Sequence, residues 1–278
     1  MSINPRFNRL FTHDGKCLQV ALDHGGVNVP SLIPGLESMK QVIETVAAAN
    51  PDAILVTAGQ AHWLQDLRQK PKPALVLRAD SPNIYCTPKT DTPFNLLIGD
   101  AVEQAVVMDA AAIVLNLFWA PDQQELYRQC MENVLTIKPR CERYGMPLMV
   151  EPMILIMDDK GGYKFNTDIQ QTVALARQAV ELGADIVKAD VAENLEEYHL
   201  VVEASAPCPL LPRGGARVSD QEILTRTYTM IQQGASGIIY GRNIYQHPHP
   251  ARMIRACQAV VHEGATVAQA MAMLENIG

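Results

Sequence analysis

Residues 172–188 read TVALARQAVELGADIVK, and this stretch decides the fold class. Its first part places Val173, Ala176 and Val180 three and four positions apart, a spacing that predicts an amphipathic helix. Gly183 then supplies the left-handed residue at which many helices stop. A short apolar run follows at once, which predicts a strand. The stretch therefore predicts a helix that returns the chain directly into a sheet.

The same helix-to-strand turn occurs again where Gly234 and Ser236 follow the helical pattern 222–233. Eight short apolar runs occur in the 278 residues, one about every 35 residues (278/8), which is close to one strand-helix unit each. The eight runs span residues 18–22, 53–56, 74–77, 112–117, 147–150, 184–188, 209–211 and 236–240. No GxGxxG dinucleotide motif accompanies them, so they predict an α/β fold that closes into a (β/α)8 TIM barrel rather than an open sheet.

The predicted domain organisation is one barrel over residues 1–278, because no linker or low-complexity stretch divides the chain. We expect residues 1–15 to form an N-terminal extension under the barrel and residues 267–278 to form a C-terminal helix. Barrels of this kind commonly associate, so a homo-oligomer is expected. The apolar stretch 267–274 is a candidate contact surface, although packing on its own barrel explains it equally well.

The composition excludes several classes of partner. The net charge is −7, and no basic stripe is visible that would favour nucleic acid. No apolar run approaches the ~20 residues that a membrane span needs. The six cysteines include no CxxC pair, and no secretory signal precedes the barrel, so we expect reduced thiols in a cytoplasmic protein.

Lys188 is the residue most informative about chemistry. It lies in the apolar run Ala184–Asp190, where a lysine inside a sheet is poorly solvated. Burial lowers the pKa of a lysine, and a neutral amine can attack a carbonyl to form a Schiff base. The alternative is a lysine at the strand end that pairs with Asp185 or Asp190. Both interpretations follow from the same run of residues.

Other polar residues end the predicted strands, and chemistry in TIM barrels occurs at the carboxyl ends of strands. Asp23 ends the first run, where it either caps a turn or holds the amine and moves protons. Glu151 ends the fifth run and is either a turn acceptor or a second acid/base. These two carboxylates are therefore the candidate partners of Lys188.

Glycines after the last two runs indicate an anion site. Gly214, Gly215 and Gly241 would let backbone amides approach a phosphate closely, and Arg242 would add a charge-assisted contact. Ordinary tight turns are the alternative. Two such turns on adjacent final strands favour phosphate. The histidines show no HxH or HExxH pattern, so neither a catalytic metal nor an organic cofactor is expected.

These residues together resemble the class I Schiff-base aldolase family that includes archaeal-type fructose-bisphosphate aldolase, tagatose-bisphosphate aldolase and deoxyribose-phosphate aldolase. The pieces that carry the resemblance are residues 21–25, residues 183–188, and the segment from Gly234 to Gln246. The last segment is also similar to the phosphate signature of the autoinducer-2 pathway thiolase. The resemblance covers nearly the whole chain.

The resemblance implies roles for individual residues. By similarity, Lys188 is the nucleophile, Asp23 assists proton transfer, and the glycines with Arg242 hold phosphate. Arg217 lies where the family often carries a lysine after its Gly-Gly, and is expected to bind phosphate too. One departure is Met153, which stands where the archaeal-type aldolases carry a tyrosine acid/base. Either Glu151 has taken over its role, or the reaction is not fructose-bisphosphate cleavage.

Three functions are compatible with these patterns. The first is a class I aldolase, a lyase that cleaves or forms a C–C bond in a phosphorylated ketose without a metal. The second keeps Lys188 and the phosphate site but transfers an acetyl group from a phospho-dione to coenzyme A, as a thiolase does. The third is a non-catalytic barrel that binds a phosphosugar. In all three the expected partner is a small phosphorylated sugar or ketone.

Overall fold

A closed ring of parallel strands forms the centre of the computed structural model, which describes residues 5–26, 31–85, 92–158 and 162–275. In chain order the strands are β1 (Cys17–Ala21), β2 (Ala53–Val56), β3 (Ala74–Arg78), β4 (Asp80–Pro82), β5 (Asn95–Leu97), β6 (Ala110–Trp119), β7 (Leu148–Met157), β8 (Tyr163–Phe165), β9 (Ile186–Val187) and β10 (Gly237–Tyr240). Seven of them pair in the parallel order β10, β1, β2, β3, β6, β7, β9. Single bridges from Val187 to Leu210 and from Arg213 to Ile239 close the ring through residues 210–213. The predicted (β/α)8 barrel is thereby confirmed.

Helices lie between the successive barrel strands, before the first strand and after the last. They are α1 (Phe7–Leu10), α2 (Met39–Ala48), α3 (Ala61–Gln65), α4 (Ala101–Val107), α5 (Gln124–Tyr144), α6 (Ile169–Glu181), α7 (His199–Ser205), α8 (Asp220–Gln232), α9 (Arg242–Tyr245), α10 (Pro250–Glu263) and α11 (Val267–Glu275). Within the described ranges, no helix has the length and apolar character to cross a membrane. Helix α11 lies where the C-terminal helix 267–278 was expected. The last three residues of that range, 276–278, lie outside the described part.

Residues 172–188 have the predicted local structure. Helix α6 covers it, and Gly183 follows with a φ of 105°, a left-handed conformation that a β-carbon would disfavour. Gly234 ends α8 in the same way with a φ of 97°. Asp185 leads into β9, and its carboxylate accepts a hydrogen bond from Lys138 Nζ at 3.0 Å. Asp185 therefore pairs with Lys138 and not with Lys188. This removes one of the two aspartates that the sequence left open as a partner of Lys188.

The two faces of the barrel strands are both buried, as expected for parallel strands covered by helices. One face packs against the surrounding helices. The other points into the barrel, where it forms a separate apolar cluster that includes Ala21, Val76, Met149, Ile186, Leu211 and Ile239. Because side chains alternate along a strand, the residue two positions after each of these also points inward. Those next positions form the carboxyl rim of the barrel.

The other end of the barrel is covered by the N-terminal segment. Leu10 of α1 is buried in the inner cluster, and Phe7 and Phe11 pack against it. Arg6 donates a hydrogen bond to the carbonyl of Ala110 at the start of β6. This segment belongs to the expected extension 1–15, of which residues 1–4 lie outside the described part.

A histidine joins the last long helix to this same end of the barrel. His262 on α10 lies between two aspartates, with Nδ1 2.9 Å from Asp14 and Nε2 3.0 Å from Asp52. Burial works against the imidazolium, but the hydrogen bonds to Asp52 and Asp14 outweigh it and raise the pKa of His262. Asp52 also accepts a hydrogen bond from the backbone of Leu18 at 2.6 Å. His262 thereby connects α10 to Asp14 and Asp52 at this end of the barrel.

Two excursions on the carboxyl side of the barrel were not predicted. Strands β4 and β5 form a short antiparallel hairpin after β3. Strand β8 folds back antiparallel onto the extended end of β7, pairing Phe165 with Leu155. Both add residues above the rim of the barrel.

Candidate active site

Inward rim positions from seven of the barrel strands meet in one cavity. Two residues beyond the inner cluster on these strands come Asp23, Arg78, Asn116, Glu151, Lys188, Arg213 and Gly241, and all of them line it. The corresponding residue of β2, Thr57, does not line it. The remaining lining residues are Ala21, His24, Tyr85, Met153, Gly214, Gly215, Ile239 and Arg242. The period of two along the strands therefore explains why residues far apart in sequence converge at one point.

Lys188 is buried in this cavity and is paired with a carboxylate. Its side chain is 5% exposed, and Nζ lies 2.9 Å from Oε2 of Glu151, whose side chain is equally buried. The backbone amide of Lys188 donates to the carbonyl of Val150 on the neighbouring strand, which fixes the lysine at the end of the sheet. The partner of the lysine is therefore across the strand pair, and neither Asp185 nor Asp190 takes that place.

Arg78 connects the carboxylates of the site. It donates from Nε to Asp23 at 2.7 Å, from Nη2 to Glu151 at 2.7 Å and from Nη1 to Asp80 at 3.3 Å. The Arg78 side chain is 4% exposed, so all three contacts lie out of water. Buried ion pairs of this kind hold only when each charge has a partner. Arg78 thus fixes Asp23 and Glu151 relative to each other.

The charges around the two carboxylates keep both ionised. Burial opposes the charge of Asp23, but Arg78 and Lys188 outweigh it and lower its pKa to about 2. Burial likewise opposes the charge of Glu151, whose pKa falls to about 2 because of Lys188 and Arg78. Burial also works against the guanidinium of Arg78, yet the nearby carboxylates raise its pKa well above the usual range. At neutral pH the site therefore holds two proton acceptors.

A second group of buried amides supports this network. Asp80 accepts hydrogen bonds from the backbone of Asn116 at 2.6 Å and from its side-chain amide at 3.0 Å. The side chain of Asn95 donates to Asp80 at 2.7 Å. Burial is the main reason that the pKa of Asp80 is raised. These contacts hold Asp80 against Arg78 and tie the β4–β5 hairpin to the barrel.

Arg213 lies on the segment that pairs with the strand of Lys188, where its backbone amide donates to the carbonyl of Ala189, and its side chain also has fixed partners. Its Nη2 contacts Asp190 at 2.6 Å, and its guanidinium stacks 4.0 Å from the centre of the Phe165 ring. Asp190 is buried two residues beyond Lys188 but does not line the cavity. The carboxylate that the sequence offered as a partner of Lys188 thus neutralises Arg213.

The glycine-containing turns lie beside this arginine. A β-carbon on Gly241 would be 2.7 Å from Cε1 of His24 and 3.0 Å from the carbonyl of Ala21, so the close approach requires glycine. The side chain of Asn243 donates to the carbonyls of Gly214 and Ala216, which binds the two turns together. The backbone that the sequence predicted to surround an anion is therefore assembled at one place on the rim.

Of the two arginines predicted to bind phosphate, one reaches the cavity. Arg242 lines it, and its Nε is buried without a hydrogen-bond partner among the described residues. Arg217 is exposed, does not line the cavity, and donates to the carbonyl of Gln246. All the other predicted site residues, namely Asp23, Glu151, Lys188, Gly214, Gly215 and Gly241, line the cavity.

Five lining residues with polar side chains were missing from the predicted site: His24, Arg78, Tyr85, Asn116 and Arg213. The signal that would have found the two arginines is their inward strand position. Burial lowers the pKa of His24 to about 4, since the pull of Asp23 is smaller than this effect. Its imidazole is therefore neutral at pH 7. Met153 also lines the cavity, two residues beyond Glu151.

Comparison with known proteins shows which family this chain resembles. A profile of the DeoC/LacD family aldolases matches residues 17–247. An uncharacterised aldolase of Saccharolobus solfataricus is 29% identical over 275 residues, covering 97% of this chain and 98% of the relative. A 3-hydroxy-5-phosphonooxypentane-2,4-dione thiolase of Klebsiella pneumoniae is 28% identical over 267 residues, covering 95% of this chain and 83% of the relative.

The barrel also matches solved structures. A Schiff-base-forming fructose-1,6-bisphosphate aldolase superposes with a TM-score of 0.77 at 23% identity, covering 93% of this chain and 99% of the other. At that identity the match supports the barrel fold. The family profile covers 231 of the 278 residues (17 through 247), including every inward rim residue of the cavity. The chain therefore belongs to the DeoC/LacD family of aldolases.

Proposed function

We propose that this chain is a class I aldolase that forms a Schiff base through Lys188 and cleaves or forms a C–C bond in a phosphorylated ketose. The observation that carries the proposal is the buried contact of 2.9 Å between Nζ of Lys188 and Glu151. The same cavity is lined by Gly214, Gly241 and Arg242. One region of it offers a nucleophile, and another offers donors for an anion.

The contact with Glu151 suits the covalent step. Attack of Nζ on a ketone and loss of water give an iminium, which carries the same positive charge as the ammonium it replaces. The Glu151 carboxylate that contacts Nζ therefore stabilises both species. Arg78 holds Glu151 from the other side at 2.7 Å, so this carboxylate stays in place when the lysine reacts. The iminium then accepts the electron pair of the breaking C–C bond as an enamine.

The two ionised carboxylates are the proton acceptors of the scheme. Retro-aldol cleavage requires the substrate hydroxyl on the departing carbon to lose its proton. Asp23 and Glu151 both line the cavity, and both have a pKa near 2, so each is ionised at neutral pH. We assign the hydroxyl proton to Glu151, because it touches the lysine, and assign Asp23 to the carbinolamine steps.

The balance of charges leaves Arg242 for the phosphate. Arg78 faces Asp23 and Glu151, Lys188 faces Glu151, and Arg213 faces Asp190. Arg242 forms no ion pair with any described residue, although its Nε is buried. A phosphorylated substrate would supply the missing acceptor, and a fixed phosphate would hold the reacting carbonyl beside Lys188. Binding by the backbone of Gly214, Gly215 and Gly241, and by Arg217, stays a prediction.

The scheme uses neither a metal nor an organic cofactor. Its partner is a small phosphorylated sugar or ketone. The homo-oligomer and the cytoplasmic location expected from the sequence stay predictions.

A second candidate function is thiolysis of a phospho-dione with coenzyme A. Met153 lines the cavity where the resembling aldolases carry a tyrosine, and methionine transfers no proton. A relative with 28% identity is named a thiolase of this kind. Both functions use Lys188 and a phosphate handle, and they differ in the acceptor. Turnover that depends on added coenzyme A would assign the chain to the second.

The test is reductive trapping. The protein is mixed with dihydroxyacetone phosphate or fructose bisphosphate, borohydride is added, and the intact mass is measured. Wild-type protein and the control Lys138→Arg are expected to gain one reduced adduct (the ligand less water plus two hydrogens), because Lys138 lies outside the cavity and pairs with Asp185. Lys188→Arg is expected to gain none.

Equal trapping of Lys188→Arg and wild type would contradict the assignment of the nucleophile. No trapping of the wild type by either ligand, in parallel with a working class I aldolase, would contradict the sugar-bisphosphate chemistry. The phospho-dione substrate with coenzyme A would then be tested next.

A further inference from the structure

Tyr85 is a protic group at the cavity that neither the proposed scheme nor the family resemblance uses. The chain has eight tyrosines, and all lie within the described ranges. Tyr85 is the one among them that lines the cavity with Lys188 and Glu151. Two other buried tyrosines have committed hydroxyls, since Tyr198 donates to the carbonyl of Asp190 and Tyr240 pairs with Thr227.

The β4–β5 hairpin holds Tyr85 above the rim. Asn83, two residues earlier, is held to the opposite strand: its side-chain Oδ1 accepts from the backbone N–H of Phe94 at 2.6 Å, and its backbone N–H donates to the carbonyl of Phe94 at 3.1 Å. The Tyr85 ring lies 6.2 Å from the ring of Phe165. Phe165 in turn stacks under Arg213, so Tyr85 stands over the same side of the cavity as that arginine.

Before substrate reacts, the carboxylates, His24 and Met153 offer no readily donated proton for carbon. Asp23 and Glu151 have a pKa near 2 and act as acceptors at neutral pH. His24 is neutral, and the N–H of a neutral imidazole is a much weaker acid than a phenol. Met153 has no proton to give. Burial raises the pKa of Tyr85, so the phenol keeps its proton at neutral pH.

We propose that Tyr85 is the general acid that protonates the enamine carbon, in place of the tyrosine that Met153 replaces. This inference rests on the proposed function. It assigns the proton that returns to carbon after C–C cleavage to Tyr85 rather than to Glu151, which at that stage holds the proton taken from the substrate hydroxyl. General acid catalysis by a positioned side chain contributes about 10²–10⁴-fold to the rate of such a step.

The substrate hydroxyl gives its proton to Glu151, the C–C bond breaks, and its electron pair enters the iminium to form the enamine. The phenol of Tyr85 donates its proton to the enamine carbon, and the iminium forms again. The proton held by Glu151 returns to the phenolate, directly or through water. Hydrolysis of the iminium then releases Lys188 and the ketone product.

The experiment measures protonation at carbon separately from imine formation. Wild type, Tyr85→Phe and the control Tyr144→Phe are incubated with dihydroxyacetone phosphate in deuterated water, and exchange at the carbon next to the carbonyl is followed. Each rate is divided by the fraction of the same protein that borohydride traps. Tyr144 is 38% exposed at the end of α5 and does not line the cavity.

Tyr85→Phe keeps the ring against Phe165 and removes only the hydroxyl. The expected result is a fall of about 10²-fold in the ratio of exchange to trapping, with Tyr144→Phe unchanged. Because the ratio is taken per trapped molecule, partial loss of folding does not imitate this result. A ratio for Tyr85→Phe within about twofold of wild type would overturn the inference while leaving Lys188 as nucleophile. Failure of the wild type to trap would instead count against the proposed function itself.

Discussion

Substitution of Arg78 by methionine is the perturbation with the largest predicted effect on the barrel. The guanidinium contacts three carboxylates at 2.7, 2.7 and 3.3 Å, and its side chain is 4% exposed. Methionine fills much of the same volume but leaves Asp23, Asp80 and Glu151 buried with Lys188 as the nearest remaining cation. Removal of one member of a buried ion pair costs about 3–5 kcal/mol of stability. Arg78→Met is therefore expected to lose about that much at pH 7.5.

The loss should depend on pH in a defined direction. In the wild type, Asp23 and Glu151 have depressed pKa values, so their stabilising contribution is complete above the unfolded values and is lost only in acid. Without Arg78, burial dominates and the folded pKa values rise. The mutant's folded state then binds more protons than its unfolded state, so the mutant gains stability as pH falls. The gain is about 1.4 kcal/mol per pH unit for each carboxylate that titrates.

The assay is urea unfolding at pH 7.5 and pH 5, followed by circular dichroism. Arg128→Met is the matched control, because Arg128 pairs with Glu125 and Glu132 on the exposed face of α5. Exposed pairs contribute about 0–1 kcal/mol, so the control should stay close to wild type. A destabilisation of Arg78→Met below about 1 kcal/mol at pH 7.5, or one that grows as pH falls, would refute the reasoning.

Three further predictions concern single side chains. His262→Gln should lower the free energy of unfolding by about 1–3 kcal/mol at pH 5.5 and by less at pH 9. The raised pKa of His262 stabilises the fold fully below the unfolded value near 6.5, and this stabilisation is lost as pH rises through the folded value. Equal shifts of the urea midpoint at both pH values would contradict this. Arg242→Met should raise the Kd for inorganic phosphate, measured from its protection against thermal unfolding, by about 10–100-fold. Arg217→Met, at an exposed position, should change this Kd by less than about threefold. The reverse order would assign the phosphate to Arg217. Gly241→Ala should raise the Kd for phosphate at least about tenfold, because the new β-carbon would lie 2.7 Å from the His24 ring. The control Gly59→Ala, where a β-carbon would have no heavy atom within 4 Å, should leave the Kd unchanged. An unchanged Kd for Gly241→Ala would show that the turn does not bind the anion.

The barrel was predictable from local patterns. A helix, a glycine stop and a strand follow one another in residues 172–188, and the same sequence of signals recurs along the chain. Parallel strands covered on both faces give short apolar runs, which the sequence displays clearly. The run 209–211 was also predicted, and in the structure residues 210–213 join the sheet through two isolated bridges rather than a continuous ladder. The β4–β5 hairpin was not predicted, because β4 begins only one residue after β3 ends and no separate apolar run marks it.

The membership of the site was predictable in part. Lys188, Asp23 and Glu151 could be chosen because they end apolar runs, and inward alternation puts all three in the cavity. Which charges touch was not predictable, since Arg78 contacts Glu151 across 73 positions of sequence. Arg217 carried the charge that the resemblance called for, but the path of its loop turns it outward.

The central claim is that Lys188 is the covalent nucleophile, and peptide mapping of the borohydride adduct tests it most directly. Wild-type protein is trapped with dihydroxyacetone phosphate, digested, and analysed by mass spectrometry for the modified lysine. We predict that the added mass lies on the peptide that contains Lys188, and that Glu151→Gln reduces its yield because the iminium loses its carboxylate partner at 2.9 Å. An adduct on any other lysine, with Lys188 unmodified, would contradict the account.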